Sequence, residues 1–145
     1  HATKTKFFLA HGGPGLNKSL CDDIAVVVLK VLAAPEFAPL FSPQSRANIT
    51  VTGYFKSSGR TYNVSGSIDR LMVREDLVRL VNFKTDQHTP TEVAHLQERY
   101  LQQIASYRTV LARIYPDRPI ECALLWTEKP QLTILNNKFL DQWLP

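Results

Sequence analysis

Three β-rich segments in close succession constrain the fold of this chain more than any other feature of its sequence. They read NITVTGYFK (48–56), TYNVSGSIDRLMV (61–73) and LVRLVNFK (77–84), and only the short polar breaks SSGR and RED separate them. Breaks this short are typical of connections between neighbouring antiparallel strands. The pattern therefore predicts an antiparallel meander of three strands.

Two segments with helical periodicity flank the meander. Residues 19–33 begin at Ser19, a suitable N-cap, and the segment stops at Pro35. The second segment covers 92–115 and stops at Pro116. Apolar residues recur at spacings of mostly three and four, namely Ile24, Val27, Val28, Val31 and Leu32, then Val93, Leu96, Leu101, Ile104, Tyr107, Leu111 and Ile114.

The last third of the chain predicts further strands. IECALLWT (120–127) is a continuous apolar run of the kind found in central buried strands, QLTILN reads as a short strand, and NKFLDQWLP closes the chain with a helical turn or two. The order is helix, three strands, helix, strand, strand. At 145 residues and 44% hydrophobic composition, we expect one α/β (α+β) domain over residues 1–145.

Composition narrows the classes of protein to which the chain can belong. No apolar run approaches the roughly 20 residues of a membrane span, and no signal peptide is recognisable, which predicts a cytoplasmic protein without a membrane partner. The formal charge of +4 favours an anionic partner. Cys21 and Cys122 form neither a disulfide framework nor a zinc motif, so we expect reduced, buried thiols.

A glycine-rich stretch before the first helix resembles a phosphate-binding loop. FFLAHGGPGLNKS follows the template G-x-x-x-x-G-K-[ST] except that Asn17 replaces the second glycine. That glycine matters because the loop wraps backbone amides around phosphate at positive φ, which glycine adopts more readily than asparagine. A loop leading to a serine cap produces the same pattern, and we favour that interpretation.

Polar residues at one end of the meander form the main candidate site. Asp69 lies on the second predicted strand, and Asn82 and Lys84 lie two apart on the third, so the latter two share a face. A carboxylate beside a lysine on a sheet face is the minimal arrangement for holding a divalent cation and a water near a phosphodiester. The alternative is a set of ordinary solvated residues, with Arg70 beside Asp69.

The second helix carries further candidates. Gln103 and Tyr107 lie at i and i+4 and therefore share one face, either as part of a site or as a packed tyrosine with a satisfied polar end. The helix also carries Arg99, Arg108 and Arg113, which could contact phosphates or form a solvated face.

Several ordered segments together resemble one known family. GSIDRL, VNFKT, YLQQIASYR and ALLWT resemble the C-terminal nuclease domain of the AddA family, the helicase-nuclease subunits of bacterial AddAB recombination enzymes, in its alphaproteobacterial form. VLAAPEFAPLFSPQSRA and ARIYPDRPIECALLW extend the resemblance to about residues 25–135. Residues 1–18 lie outside the recognisable core.

The resemblance implies a RecB-like domain of the PD-(D/E)XK superfamily, with a restriction-endonuclease-like core of mixed sheet and flanking helices. It implies that Asp69 and the residue at position 82 hold Mg²⁺ and that Lys84 helps to orient the attacking water. Gln103, Tyr107 and Arg70 would support DNA binding. The implied partners are DNA and an AddB-like protein, and ATP would be used only by a helicase part upstream of this chain.

The chain departs from the family pattern at two positions where the family has acidic residues. Asn82 stands where the family has a metal-binding aspartate, and Asn48 stands where SRANITV resembles a stretch that usually has glutamate after the alanine. His11 does not match the family's G-x-x-x-H motif, so the chain looks like a domain truncated at its start.

These departures lead to three hypotheses about function. The first is a domain of a double-strand break repair enzyme whose nuclease activity is crippled by Asn82. The second is an active Mg-dependent exonuclease in which another acid, such as Asp86, replaces the missing one. The third is a non-catalytic module that binds DNA or supports the partner subunit.

Overall fold

The computed structural model describes residues 18–85 and 96–145 of the chain. Its contacts divide the chain into two compact units, residues 1–38 and 39–145. The prediction of a single domain over 1–145, with residues 1–18 outside the core, stays a prediction.

The described part of the first unit is mainly a helix, α1 (Lys18–Ala33), whose described start is one residue earlier than predicted, so Ser19 lies inside the helix and is not its N-cap. Val31 is buried as predicted, but Leu32 is 39% exposed, and Ala25, which the predicted apolar set did not include, is buried. A 3-10 helix (Pro35–Phe41) follows, where the sequence had indicated only the end of a helix. Pro35 disfavours continuation of α1, and the chain instead takes tighter turns.

The second unit contains one five-stranded sheet in the order β1-β2-β3-β4-β5. The strands are β1 (Ser45–Ser57), β2 (Arg60–Val73), β3 (Val78–Lys84), β4 (Ile120–Trp126) and β5 (Gln131–Leu135). The predicted antiparallel meander of β1, β2 and β3 is confirmed, and β5 is antiparallel to β4. Strand β4 is parallel to β3, which makes the sheet mixed.

Helix α2 (Glu98–Ile114) connects β3 to β4. The prediction placed its start at Glu92; residues 92–95 lie outside the described residues, but Leu96 and Gln97 are not helical. Gln97 has an extended backbone with ψ of 131° and occupies the N-cap position, so the helix begins after it. The end agrees with the prediction, since Tyr115 caps the helix before Pro116.

The core of the second unit lies between α2 and the sheet. Central strands contribute to it, as their apolar composition predicted: Leu80 on β3 and Leu124 on β4 are fully buried. Their neighbours Val81 and Ala123, which point to the opposite side of the sheet, are also fully buried. Burial on both sides explains why β4 reads as a continuous apolar run.

The chain closes with a short helix, α3 (Asn137–Leu140), and a 3-10 helix (Asp141–Trp143), as the sequence predicted. Asn136 caps α3, because its Oδ1 accepts a hydrogen bond from the Lys138 backbone at 2.8 Å. An ion pair between Arg108 and Asp141 joins this end of the chain to α2.

Among the described residues, no single helix has the length and apolar character of a membrane span. One pair of consecutive helices, Cys21–Ala33 and Pro35–Phe41, has that length and apolar character when the two are counted together, and the chain is bent between them.

Candidate active site

The candidate site lies where the pairing between β2 and β3 ends. The register runs from Val73↔Val78 to Arg70↔Val81, and one more step along it brings Asp69 level with Asn82. These two residues are 13 apart in sequence, and the tight turn between the strands brings them together. Asp69 and Asn82 are therefore in contact in the fold, and their role as metal ligands stays a prediction.

At this point, hydrogen bonds to side chains replace the backbone hydrogen bonds that pair β2 with β3. The Asp69 backbone N–H donates to Asn82 Oδ1 at 3.3 Å, and the Phe83 backbone N–H donates to Asp69 Oδ2 at 2.7 Å. Asn82 is only 5% exposed, so its amide oxygen is in an environment where an acceptor needs a donor. The oxygen atoms that could act as metal ligands thus also hold β2 and β3 together.

Asn48 on β1 is level with Asp69 on its other side. In the register between β1 and β2, Ala47 pairs with Arg70 and Ile49 pairs with Ile68. Asn48 and Asp69 lie opposite each other between these two pairs. Asn48 has φ of 51°, in the left-handed region that asparagine tolerates better than most residues. The asparagine at position 48 therefore suits its own backbone conformation.

The alternation of side chains along β2 breaks at the same level. Val64, Ile68 and Leu71 all belong to one buried hydrophobic cluster, although regular alternation would send Leu71 to the opposite face from the other two. The irregularity coincides with the unusual backbone of Asn48. Distortions of this kind re-aim side chains and are common beside active sites.

Lys84 lies against helix α2. Its ammonium group is 3.5 Å from the centre of the Tyr100 ring, and its backbone carbonyl accepts the Thr127 N–H at 2.9 Å. Because Lys84 is two residues after Asn82 on β3, both side chains leave the sheet on the same side. Tyr100 therefore helps to set the position of the predicted catalytic lysine, and sequence analysis had not singled it out.

The predicted pair on α2 is in contact. Gln103 Nε2 donates to Tyr107 Oη at 3.1 Å, and Tyr107 is buried. The hydroxyl lies against Gly66, where an added Cβ would be 1.9 Å from Oη. Gly66 was also missed as a site residue, although a glycine inside a strand pattern signals a close approach. It opens the segment GSIDRL and so links Tyr107 to the strand that carries Asp69.

Arg70 is engaged within the protein. Its Nε donates to the Leu40 carbonyl at 2.9 Å, and its guanidinium carbon lies 4.9 Å from the centre of the Phe41 ring. Burial lowers the pKa of Arg70 from its ordinary value. These contacts attach β2 to the segment before β1, and a role for Arg70 in DNA binding stays a prediction.

Among the described residues, the donor set at the site does not fit a divalent cation. Mg²⁺ prefers carboxylate oxygens, whereas the side chains level with Asp69 are the amides of Asn48 and Asn82. Within residues 18–85 and 96–145, no group of three or more His, Cys, Asp or Glu could hold a metal ion. Asp86 lies outside the described residues, as does His11.

Two further features of the sequence, the glycine-rich loop and the cysteines, lie outside the candidate site. Of the glycine-rich loop, residues 12–17 lie outside the described residues, while Lys18 and Ser19 form the first turn of α1. Cys122 is a free, fully buried thiol whose pKa burial raises to about 12, which makes it inert. Cys21 is half-buried, which differs from the predicted burial of both thiols.

Comparison with known proteins relates this chain to a nuclease superfamily. The family model described as the PD-(D/E)XK nuclease superfamily matches residues 23–141. An ATP-dependent helicase/nuclease subunit from Oenococcus oeni is 36% identical to the chain over 58 residues. That alignment covers 40% of this chain and 5% of the relative, so the chain corresponds to a small part of that protein.

One solved structure also aligns with the fold. The crystal structure of SSO0001 covers 98% of this chain and 80% of its own, at a TM-score of 0.41 and 8% sequence identity. Likeness at this level carries no argument about function.

Proposed function

Because this chain belongs to the PD-(D/E)XK nuclease superfamily, we propose that it is the nuclease-family domain of an AddA-like, ATP-dependent DNA helicase-nuclease whose own nuclease centre is crippled. The parent enzyme would act in double-strand break repair and recombination, in the cytoplasm, with an AddB-like protein as its partner. ATP would be used by the helicase part. In this proposal the domain keeps the fold and contacts DNA without efficient cleavage.

One observation carries the proposal. Nucleases of this superfamily generally use a divalent metal such as Mg²⁺, and here the residue beside Asp69 is an amide whose oxygen accepts the Asp69 N–H. Replacing a carboxylate by an amide removes one negative charge from the site. At about 4 Å and an effective dielectric near 20, that charge is worth on the order of 4 kcal/mol per unit of metal charge before solvation offsets it.

The hydrogen bonds at the site support the same conclusion. The side chains of Asp69 and Asn82 each accept a hydrogen bond from the backbone of the neighbouring strand. The site is therefore stable as a polar contact between β2 and β3. With a single carboxylate in this arrangement, there is no carboxylate pair whose repulsion a metal would have to neutralise.

Charge and relatives support a role on DNA within a larger enzyme. The formal charge of +4 suits a polyanion. The relative from Oenococcus oeni is described as one subunit of a helicase/nuclease, which is the basis for proposing a motor elsewhere in the protein and a second protein as partner.

Restoring the acid tests the proposal. We expect Asn82→Asp to gain Mg²⁺- or Mn²⁺-dependent degradation of linear DNA by on the order of a thousandfold over the unaltered chain, because about 1.4 kcal/mol of barrier is tenfold in rate. Release of acid-soluble nucleotides measures the activity. Asn63→Asp adds the same charge at an exposed position of β2 and should leave the activity at the level of the unaltered chain.

Two results would sharpen the outcome. Lys84→Ala in the Asn82→Asp background should abolish the gained activity, since the lysine would orient the attacking water. Equal cleavage by the unaltered chain and Asn82→Asp would contradict the proposal and favour an active exonuclease with another acid. Loss of that cleavage in Asp86→Asn would then identify the acid.

A further inference from the structure

The far end of α2 carries a groove lined by arginines, which we name the arginine groove. It has a volume of about 420 Å³, and its lining includes Arg108, Arg113, Arg118, Thr109, Asn137 and Ile120. Concave sites of a few hundred Å³ are of the size that holds a ligand group. The candidate active site lies elsewhere and shares none of these residues.

Each arginine of the groove is held by a contact that leaves other donors available. Arg113 Nη1 donates to the Tyr54 carbonyl at 2.9 Å, and the Arg118 guanidinium lies 5.8 Å from the Tyr115 ring centre. Arg108 pairs with Asp141. A guanidinium has five N–H donors, so a single anchor fixes its position without exhausting its capacity to bind oxygen.

The charge balance of the groove favours an anion. Three guanidiniums line it, and Asp141 neutralises one of them. Glu121, next to Ile120, is occupied by Arg79 on the neighbouring strand. Arginine binds phosphate through two parallel N–H bonds, so clustered arginines suit phosphate better than other anions.

The arginine groove and the candidate active site lie at opposite ends of the same elements. Ile120 pairs with Val78, whereas Lys84 pairs with Trp126 at the other end of β3 and β4. At about 3.3 Å per residue, six residues of strand separate the two levels by about 20 Å. The distance along α2 from Tyr100 to Arg113 is also about 20 Å, at 1.5 Å per residue.

A polar path connects the two places across the surface of α2. Gln103, Ser106, Thr109 and Arg113 follow each other at spacings of three and four, which places them along one side of the helix. Gln103 and Arg113 are exposed, and Ser106 and Thr109 are half-buried. None of these four side chains is negatively charged, so a polyanion crossing the helix here would meet no repulsion from them.

We propose that the arginine groove binds backbone phosphates of a DNA strand that has crossed α2 from the candidate active site. The separation of about 20 Å corresponds to roughly six nucleotides at 3.4 Å each. This inference rests on the proposed DNA-binding function. The path along α2 favours DNA over an acidic protein segment, because it joins the groove to the place where the proposed function puts the strand.

A double variant tests the groove directly. Arg113→Gln with Arg118→Gln should raise the Kd of the chain for a fluorescent 20-nucleotide single strand about tenfold at 0.1 M salt. The slope of log K against log salt should fall by about 1.4, since each phosphate contact on a single strand contributes about 0.7. Thermal unfolding of the variant checks that the fold is retained.

A matched control removes the same charge elsewhere. Lys56→Gln with Arg60→Gln lies in the exposed β1–β2 hairpin and should change Kd less than twofold. A photoreactive residue in place of Ala112, which also lines the groove, should crosslink to the strand. Equal loss of affinity in both double variants, with no crosslink, would overturn the proposal that the arginine groove binds the strand. It would leave DNA binding and the proposed function intact.

Failure of the proposed function gives a different result. If the unaltered chain binds no DNA at any salt concentration, the DNA proposal falls for the groove as well. Binding of a polyglutamate peptide that depends on Arg113 and Arg118 would then assign the groove to an acidic protein segment and overturn the inference.

Discussion

The hydroxyl of Tyr107 lies where a side chain at position 66 would begin. A Cβ added to Gly66 would be 1.9 Å from Tyr107 Oη and 2.9 Å from Cζ, closer than real contacts of a Cβ. The tyrosine ring belongs to the core, and its hydroxyl accepts from Gln103. A glycine on β2 and a glutamine-tyrosine pair on α2 are thus parts of one packing arrangement beneath the candidate site.

Substitution of Gly66 tests this arrangement. We expect Gly66→Ala to lower the free energy of unfolding by about 1–3 kcal/mol, because the added methyl group overpacks a filled space. Urea denaturation measures the loss. Tyr107→Phe in the same chain should recover part of it, since it removes Oη and leaves only the contact with the ring carbon.

Gly53 offers the matched control on β1. A Cβ added there would meet the methyl groups of Val110 at 3.1 and 3.3 Å, which is a milder contact. Gly53→Ala should therefore cost less than Gly66→Ala. Equal costs for the two substitutions would show that Tyr107 does not restrict position 66.

At the level of elements, the parallel pairing of β3 with β4 places the candidate site at the end of both strands. Arg79 on β3 is in register with Glu121 on β4, and the two side chains form an ion pair while 23% and 29% exposed. Partial burial limits the solvent screening of this pair. The pair therefore stabilises the register that positions Asn82 and Lys84.

A double-mutant cycle measures this contribution. We expect Arg79→Ala and Glu121→Ala each to lower the free energy of unfolding by about 1 kcal/mol, with a coupling energy of about 0.5–1 kcal/mol. The exposed pair of Arg74 and Asp76, with side chains 48% and 65% exposed, is the control. Its coupling should be close to zero, and a coupling as large as that of the strand pair would contradict the role of burial.

At the level of the whole molecule, the predicted restriction-endonuclease-like fold of the PD-(D/E)XK superfamily is confirmed. A mixed sheet carries the meander on one side, and α2 provides the crossover to the parallel strand. This fold is present in a chain whose candidate site has amides at positions 48 and 82. Packing keeps the fold because the buried cluster involves other residues.

Metal dependence of stability follows from this separation of fold and site. We expect the Tm of the unaltered chain to change by less than about 1 °C with Mn²⁺. Asn82→Asp should have a lower Tm without metal, because it places two carboxylates side by side, and should gain on the order of 5–10 °C when Mn²⁺ is about 100 times its Kd. Thermal unfolding followed by circular dichroism measures both.

Asn63→Asp is again the control, and its Tm should not respond to Mn²⁺. An equal rise in Tm for the unaltered chain and Asn82→Asp would mean that the site holds metal without an acid at position 82. That result would contradict the chemistry on which the proposed function rests, independently of any cleavage assay.

Local patterns in the sequence were sufficient to predict most elements. The meander, the end of α2 at Tyr115 and the buried character of β4 all follow from periodicity, short polar breaks and proline, which act over a few residues. The same reasoning placed the strand of Asp69 beside the strand of Asn82 and Lys84, because a tight turn joins the two strands. It did not locate the start of α2, where the backbone of Gln97 is extended although the apolar pattern continues upstream of it.

The tertiary structure decided what depends on residues far apart in the chain. The parallel pairing of β3 with β4, the contact of Tyr107 with Gly66 and the stacking of Lys84 on Tyr100 join segments that no local pattern relates. The arginine groove likewise combines residues of α2, the following turn and α3. The sequence determined by itself that positions 48 and 82 carry amides. Only the packed chain showed that the Asn82 amide is hydrogen-bonded into the sheet, because its donor comes from a neighbouring strand.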